Sequence, residues 1–141
     1  MTNSLFDATR IYVQMARYSA WMNQKLMAEC SKASDEARKT RRGVPFDSLH
    51  GLWNHLLLTN KVWLGRFENR PFPVKSLDEI LCENWDELGA EHARTDARIS
   101  QFAAALTPEI LDSTLSYQRM GEARELPYFV AASHLFNRPL S

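Results

Sequence analysis

Apolar residues recur at helical steps in three long stretches of this chain and in a short fourth. From about residue 5 to residue 30, Ile11, Met15, Tyr18, Met22, Leu26 and Cys30 follow one another by three or four. That spacing predicts one apolar stripe along a long helix, with Asn3 or Ser4 as its cap. Tyr18 and Trp21 are expected in the core or lining a cleft. A second helix is predicted over about 48–67, capped by Asp47 or Ser48, with Leu52, Leu56, Thr59, Val62, Trp63 and Phe67 on one broad face. A third opens at Ser76-Leu77-Asp78-Glu79, a capping-box pattern in which Ser76 and Glu79 can bond each other's backbone. Leu77, Leu81, Trp85, Leu88, His92, Thr95, Ile99, Phe102 and Leu106 then keep the period for about eight turns.

The intervening segments carry breakers. Ser34-Asp35-Glu36 starts a single turn before Gly43 and Pro45 interrupt the chain, and Pro71 and Pro73 make an extended linker. Thr107-Pro108-Glu109 begins another short turn. Over residues 113–127 Leu115 and Tyr117 alternate with polar residues and Gly121 marks a turn, the pattern of a small hairpin or an irregular crossover. Pro127 suits the first turn of a fourth helix carrying Phe129, Val130, Ser133, His134 and Asn137.

These elements predict an all-α single domain over residues 1–141, an antiparallel four-helix bundle with a long crossover before a shortened last helix. The first helix would run roughly 38 Å and the fourth only about 17 Å. Apolar faces are then left uncovered at one end, and the sequence reads as short at its C-terminus.

Composition narrows the functional classes. The 141 residues are 45% apolar and 24% charged, with 17 basic and 17 acidic side chains. Zero net charge argues against a general nucleic-acid binder, and no apolar run approaches the roughly 18 residues of a membrane span. The N-terminus lacks the pattern of a secretory signal. Cys30 and Cys82 read as free buried thiols, which suits a reducing cytoplasm. The basic cluster Arg38, Lys39, Arg41 and Arg42 reads as a solvated loop, because no aromatic residue interleaves it.

Histidine is the residue type that raises a chemical question. His55 lies on a mostly apolar helical face beside Leu52, Leu58, Thr59 and Val62, where each ring nitrogen needs a partner. A hydrogen-bonded core histidine and a metal ligand both satisfy that need. His92 reads as part of a buried polar layer and His50 as a capping or surface residue. His134 faces inward if the fourth helix packs through Val130 and Ser133, and it could join His55 in a two-histidine site. Two imidazoles alone hold a divalent ion weakly. The chain has no phosphate loop, HExxH, CxxC, GxSxG or Glu-x-x-His pattern.

Several ordered stretches together resemble the DinB-like family. They are ARYSAWMNQKL (16–26), GVPFDSLHGLWNHLLLTNKVWLGRFENRP (43–71) and ELPYFVAASHLFN (125–137). The resemblance implies a four-helix bundle, often dimeric, that binds a divalent ion such as zinc or nickel through three histidines. It places one ligand at His55 and the other two in a His-x-x-x-His pair on the last helix. Arg138 stands at the first position of that pair, and the second would fall beyond Ser141. His134 is one turn too early for either. A guanidinium cannot ligate a metal, and Pro139 opposes continuation of the helix.

Two functions follow as expectations. The first is a homodimeric binding or structural module, or a truncated product, that retains only His55 of the metal site. The second is a divalent-metal-dependent enzyme, a hydrolase or thiol-dependent transferase, using His55 with His134. No other cofactor is indicated, and the partners expected are a second copy and an unidentified small molecule.

Overall fold

The computed structural model of the chain describes residues 7–43 and 46–136. The helices are α1 (Thr9–Cys30), α2 (Asp35–Lys39), α3 (Leu49–Glu68), α4 (Trp85–Ala104) and α5 (Pro108–Leu111). Strands β1 (Thr114–Arg119) and β2 (Glu122–Pro127) follow, and then α6 (Tyr128–His134). The architecture is mainly helical, as the periodicity predicts. The candidate caps Asn3 and Ser4, the breaker Pro45 and the Arg138-Pro139 ending lie outside the described residues.

Local signals place most helix starts. Ser34 accepts a hydrogen bond from the Ala37 backbone, Ser48 from Gly51, and Thr107 from Ile110 with Pro108 just inside the helix. Each satisfies an N–H that the first turn leaves without a helical partner. The hairpin also forms where the alternation predicts it, with Thr114 opposite Pro127 and Arg119 opposite Glu122. Its two turn residues, Met120 and Gly121, have φ of 52° and 79°. This left-handed pair matches the twist of the strands.

The third helix starts later than its pattern suggests. It begins at Trp85, capped by Asn84, whose side chain accepts from Glu87 N–H. The capping box at 76–79 is not used: the Ser76 hydroxyl donates to Asp78, and Glu79 accepts from the Lys75 backbone. The reason is Asn54, fully buried on α3. Its Oδ1 accepts from the backbone N–H of both Leu81 and Cys82 at 2.8 Å. Its Nδ2 donates to the Cys82 carbonyl at 3.1 Å and to the His50 carbonyl at 3.0 Å. Backbone groups held this way are not available to a helix.

Helix direction also departs from the expected antiparallel order. Lys61 pairs with Glu91 and Glu68 with Arg98, so partner numbers rise together and α3 runs parallel to α4. Asn23 meets Asp96 while Ser31 meets Trp85, so α1 runs against α4. In α6, Tyr128 contacts Phe67 and His134 contacts Trp63, so α6 runs against α3. Parallel neighbours need a return connection. Residues 69–84, extended at Pro71 and Pro73, can span more than the ~30 Å length of α3.

The core forms two clusters. Tyr12, Leu64, Ile99, Leu106 and Leu135 belong to one, and Met27, Trp53, Leu57 and Leu88 to the other. The apolar stripe of α1 is only partly covered: Met15, Met22 and Cys30 are half-buried, Ile11 is 47% exposed, Tyr18 63% and Leu26 46%, while full burial falls on Tyr12, Ala16 and Met27. Trp21, 52% exposed, is likewise outside the core, and its ring lies 6.0 Å from that of Tyr18. On α3 the expected face is half-buried, and full burial falls on Trp53, Leu57, Leu58 and Leu64. This helix is enclosed from more than one side, so no single stripe records its burial.

Candidate functional site

His55 projects from the second turn of α3 and is half-buried. Its ring stacks on Phe46 with centroids 3.7 Å apart and planes 15° from parallel. Phe46 and Asp47 both adopt left-handed φ, 64° and 68°, a conformation uncommon for residues with side chains. The same bend lays the Phe46 carbonyl over Gly51, where a Cβ would come within 2.2 Å of it. A glycine one turn before His55 therefore lets the loop close on α3. Nδ1 of His55 lies 3.0 Å from the Leu77 carbonyl. A carbonyl only accepts, so Nδ1 carries the proton and, in the neutral ring, Nε2 keeps its lone pair. Fixing one ring nitrogen through a backbone carbonyl is how metal-ligating imidazoles are commonly oriented.

His134 does not share that environment. It is exposed, and its ring stacks on Trp63 at 5.7 Å and 26°. Trp63 stands eight residues after His55, about 12 Å further along the helix axis. His55 and His134 are in neither ring nor hydrogen-bond contact with each other.

The other two histidines are structural. His50, expected as a capping or surface residue, is 3% exposed, and its Nε2 donates to the Cys82 carbonyl at 2.9 Å. Burial lowers its pKa, and the Cys82 contact opposes that only in part. His92 is buried as expected, with Nε2 donating to the Trp53 carbonyl at 2.8 Å. Cys30 and Cys82 are free and half-buried. Burial raises the Cys82 pKa, the opposite of what a nucleophilic thiol needs.

In the basic stretch at 38–42, Lys39, Arg41 and Arg42 are exposed as a solvated segment would be, but Arg38 is buried and, with Lys39, ends helix α2. Arg38 is 7% exposed, its guanidinium lies 4.5 Å from the Trp85 ring centroid, and it donates to the Ala33 carbonyl. Lys39 pairs with Asp35, Arg41 with Asp47, and Arg42 donates to the Ala37 carbonyl. Between α1 and α4 lies a groove of about 500 Å³ walled by Ala20, Met27, Ala93 and Ala97. The carboxylate at its floor, Asp96, accepts from Asn23 at 3.2 and 3.3 Å. Its acidic group therefore ties the two helices together.

Comparison with protein-family models matches residues 1–122 to the DinB family. The chain belongs to the DinB family. No curated protein and no solved structure matches it. The matched span covers α1 to the start of β2, so α6 and His134 lie beyond it. Among the described residues no group of three or more His, Cys, Asp or Glu side chains is placed to hold a metal ion. The described residues thus supply one oriented imidazole and no convergent donor set. They do not by themselves fit a bound metal. Arg138 lies outside the described residues.

Sequence reasoning misses two residues. Asn54 carries no signal, because an asparagine on a helix face reads as surface. Arg66 follows Trp63 by one turn, and its guanidinium lies 4.5 Å from that ring's centroid, but the second ring it approaches at 4.5 Å, Tyr117, comes from the hairpin. No helix among the described residues is long and apolar enough to cross a membrane.

Proposed function

We propose that this chain is a single-domain, non-catalytic binding module of the DinB family that works as a homodimer, a bundle whose fourth helix is represented by α6. The observation carrying this reading is the outward face of α1. Ile11, Tyr18, Trp21 and Leu26 are each about half open to solvent or more. Together they expose roughly a few hundred Å² of apolar surface along one helix, bordered at Trp21 by the Lys25 ammonium 4.7 Å from its ring centroid, the scale at which a patch reads as an interaction site. Ile11, Met15, Tyr18 and Met22 are spaced by four, three and four. That is the interval of a helix–helix seam, and it reads the same in both directions. A second copy of α1 laid antiparallel about a two-fold axis presents the matching row, as an isologous interface requires.

The test is mass in solution. Sedimentation velocity should give a dimer for the natural chain. Tyr18→Asp should give a monomer with an unchanged helical circular dichroism spectrum. A natural chain that stays monomeric at about 100 μM, a concentration at which contacts of micromolar affinity are populated, would sink the dimer.

A second reading, a divalent-metal-dependent enzyme using His55 with His134, is favoured by one feature: the His55 ring held at Nδ1 with Nε2 available. Metal content of the purified protein decides it. Near-stoichiometric zinc or nickel that disappears in both His55→Ala and His134→Ala would support the enzyme and count against the non-catalytic module.

A further inference from the structure

Arg66, near the end of α3, is half-buried, and no carboxylate pairs with it among the described residues. Its guanidinium carbon lies 4.5 Å from the Trp63 ring centroid and 4.5 Å from that of Tyr117 on β1. The two rings are 5.8 Å apart and tilted by 57°. The cation therefore sits in the open notch between them and not in a closed sandwich. Glu68, the nearest acid in sequence, is taken by Arg98 at 2.7 Å. From the hairpin, the Tyr117 phenol acts on Arg66 first and Arg119, of like sign, acts against it.

A guanidinium partly removed from water is costly to hold without an anion. Ring faces offset some of that cost through cation–π attraction. Both rings lie to one side of the guanidinium, and its planar fork of five N–H donors can lay its face on only one of them, so the donors on the side turned away from both rings are the ones open to a ligand. Arginine's fork matches two oxygens of a carboxylate or phosphate in that plane. Trp63 also stacks on His134, so the same tryptophan is held by α6. Burial lowers the Arg66 pKa, yet an arginine keeps its proton in proteins, so the site stays cationic.

We propose that Arg66, cradled by Trp63 and Tyr117, is the anchor of a subsite for a small oxyanion, the carboxylate or phosphate group of a metabolite-sized ligand, where α3, the hairpin and α6 meet. This inference does not depend on α1 dimerising or on His55 holding a metal, and its readout is separate from both.

The experiment is a titration of the full ¹⁵N-labelled chain, following the Trp63 indole N–H by NMR. Inorganic phosphate and succinate are added separately at constant ionic strength, with chloride as the control. A saturable Trp63 shift with either anion and none with chloride is expected, and which anion acts identifies the source. The apparent affinity should fall at least tenfold in Arg66→Met and by less in Arg66→Lys, which keeps the charge and loses the fork. It should be unchanged in Arg98→Met. The proposal is overturned if neither anion gives a saturable shift in the natural chain. It is equally overturned if Arg66→Lys and Arg98→Met weaken the response alike. The lysine variant keeps the test decisive should the methionine variant fail to fold.

Discussion

In the N-terminal half of α3, Asn54 has both amide atoms committed. Two backbone N–H groups and two carbonyls of residues 50 and 81–82 close around it, and it is fully buried. Three turns later on the same helix, Arg66 sits in the notch between two rings and meets no protein acceptor among the described residues. The first arrangement fixes the fold: it decides where the chain returns and where α4 can start. The second adds little to the fold and leaves directional donors at the surface. Polar groups that are fully satisfied stabilise; polar groups that are held but unsatisfied are where a ligand can enter.

The contrast can be broken most severely at its structural end. Asn54→Ala strands the backbone N–H groups of Leu81 and Cys82, and is expected to cost about 2–4 kcal/mol, read as a lower denaturation midpoint in urea. A loss below about 0.5 kcal/mol, the range of ordinary surface changes, would mean that the 81–82 backbone finds other partners.

A smaller effect comes from His50, beside Asn54. Its folded pKa lies below the ordinary 6.5 because of burial. Above about pH 6.5 both folded and unfolded chains hold it neutral, and its contribution is intact. As pH falls below that value the unfolded chain takes up the proton and the folded chain resists, so stability declines until the folded pKa is passed. Midpoints measured from pH 7.5 downward should fall in the natural chain and flatten in His50→Gln. Glu91, whose pKa is lowered by its hydrogen bonds to Lys61 and Arg94, contributes fully above the ordinary carboxylate value of 4.5 and loses that contribution as pH falls from there through its lowered folded pKa, so its window opens at lower pH than that of His50.

The smallest effect belongs to Arg66. Arg66→Met keeps an unbranched side chain over the two rings and removes the charge, and should move the urea midpoint by less than the equivalent of about 1 kcal/mol. A loss as large as that of Asn54→Ala would place both ends of α3 in the same structural class and erase the contrast.

Much of the local architecture is legible in the amino-acid sequence. Ser34, Ser48 and Thr107 cap helices where their positions predict, and Gly121 turns a hairpin. Each depends on atoms within three or four residues, so the information is local. The resemblance to the DinB family is also legible, since it rests on ordered motifs. The start of α4 is not. Its periodicity extends back to Leu77, but a buried amide 27 residues upstream in sequence claims the Leu81 backbone. The α1 stripe is correct as a pattern, but Tyr18 and Trp21, expected in the core or lining a cleft, are exposed. Apolar spacing shows that a face is matched to something, not whether that partner is this chain's own core.

The candidate site divides in the same way. His55 stands out by its apolar surroundings, and the structure gives it an oriented ring through Phe46 and Leu77. His134 groups with it in sequence because both lie on helices expected to be neighbours. Which turn of α3 it meets is set by the position of α6, and that turn carries Trp63. By itself the sequence determined which stretches are helical, the caps at Ser34, Ser48 and Thr107, the hairpin and the family, because these follow from short-range sterics and periodicity. Only the tertiary structure decided the parallel course of α3 and α4, the exposure of α1 and the surroundings of Arg66. Those depend on contacts between residues tens of positions apart, where burial and hydrogen-bond demand override local preference.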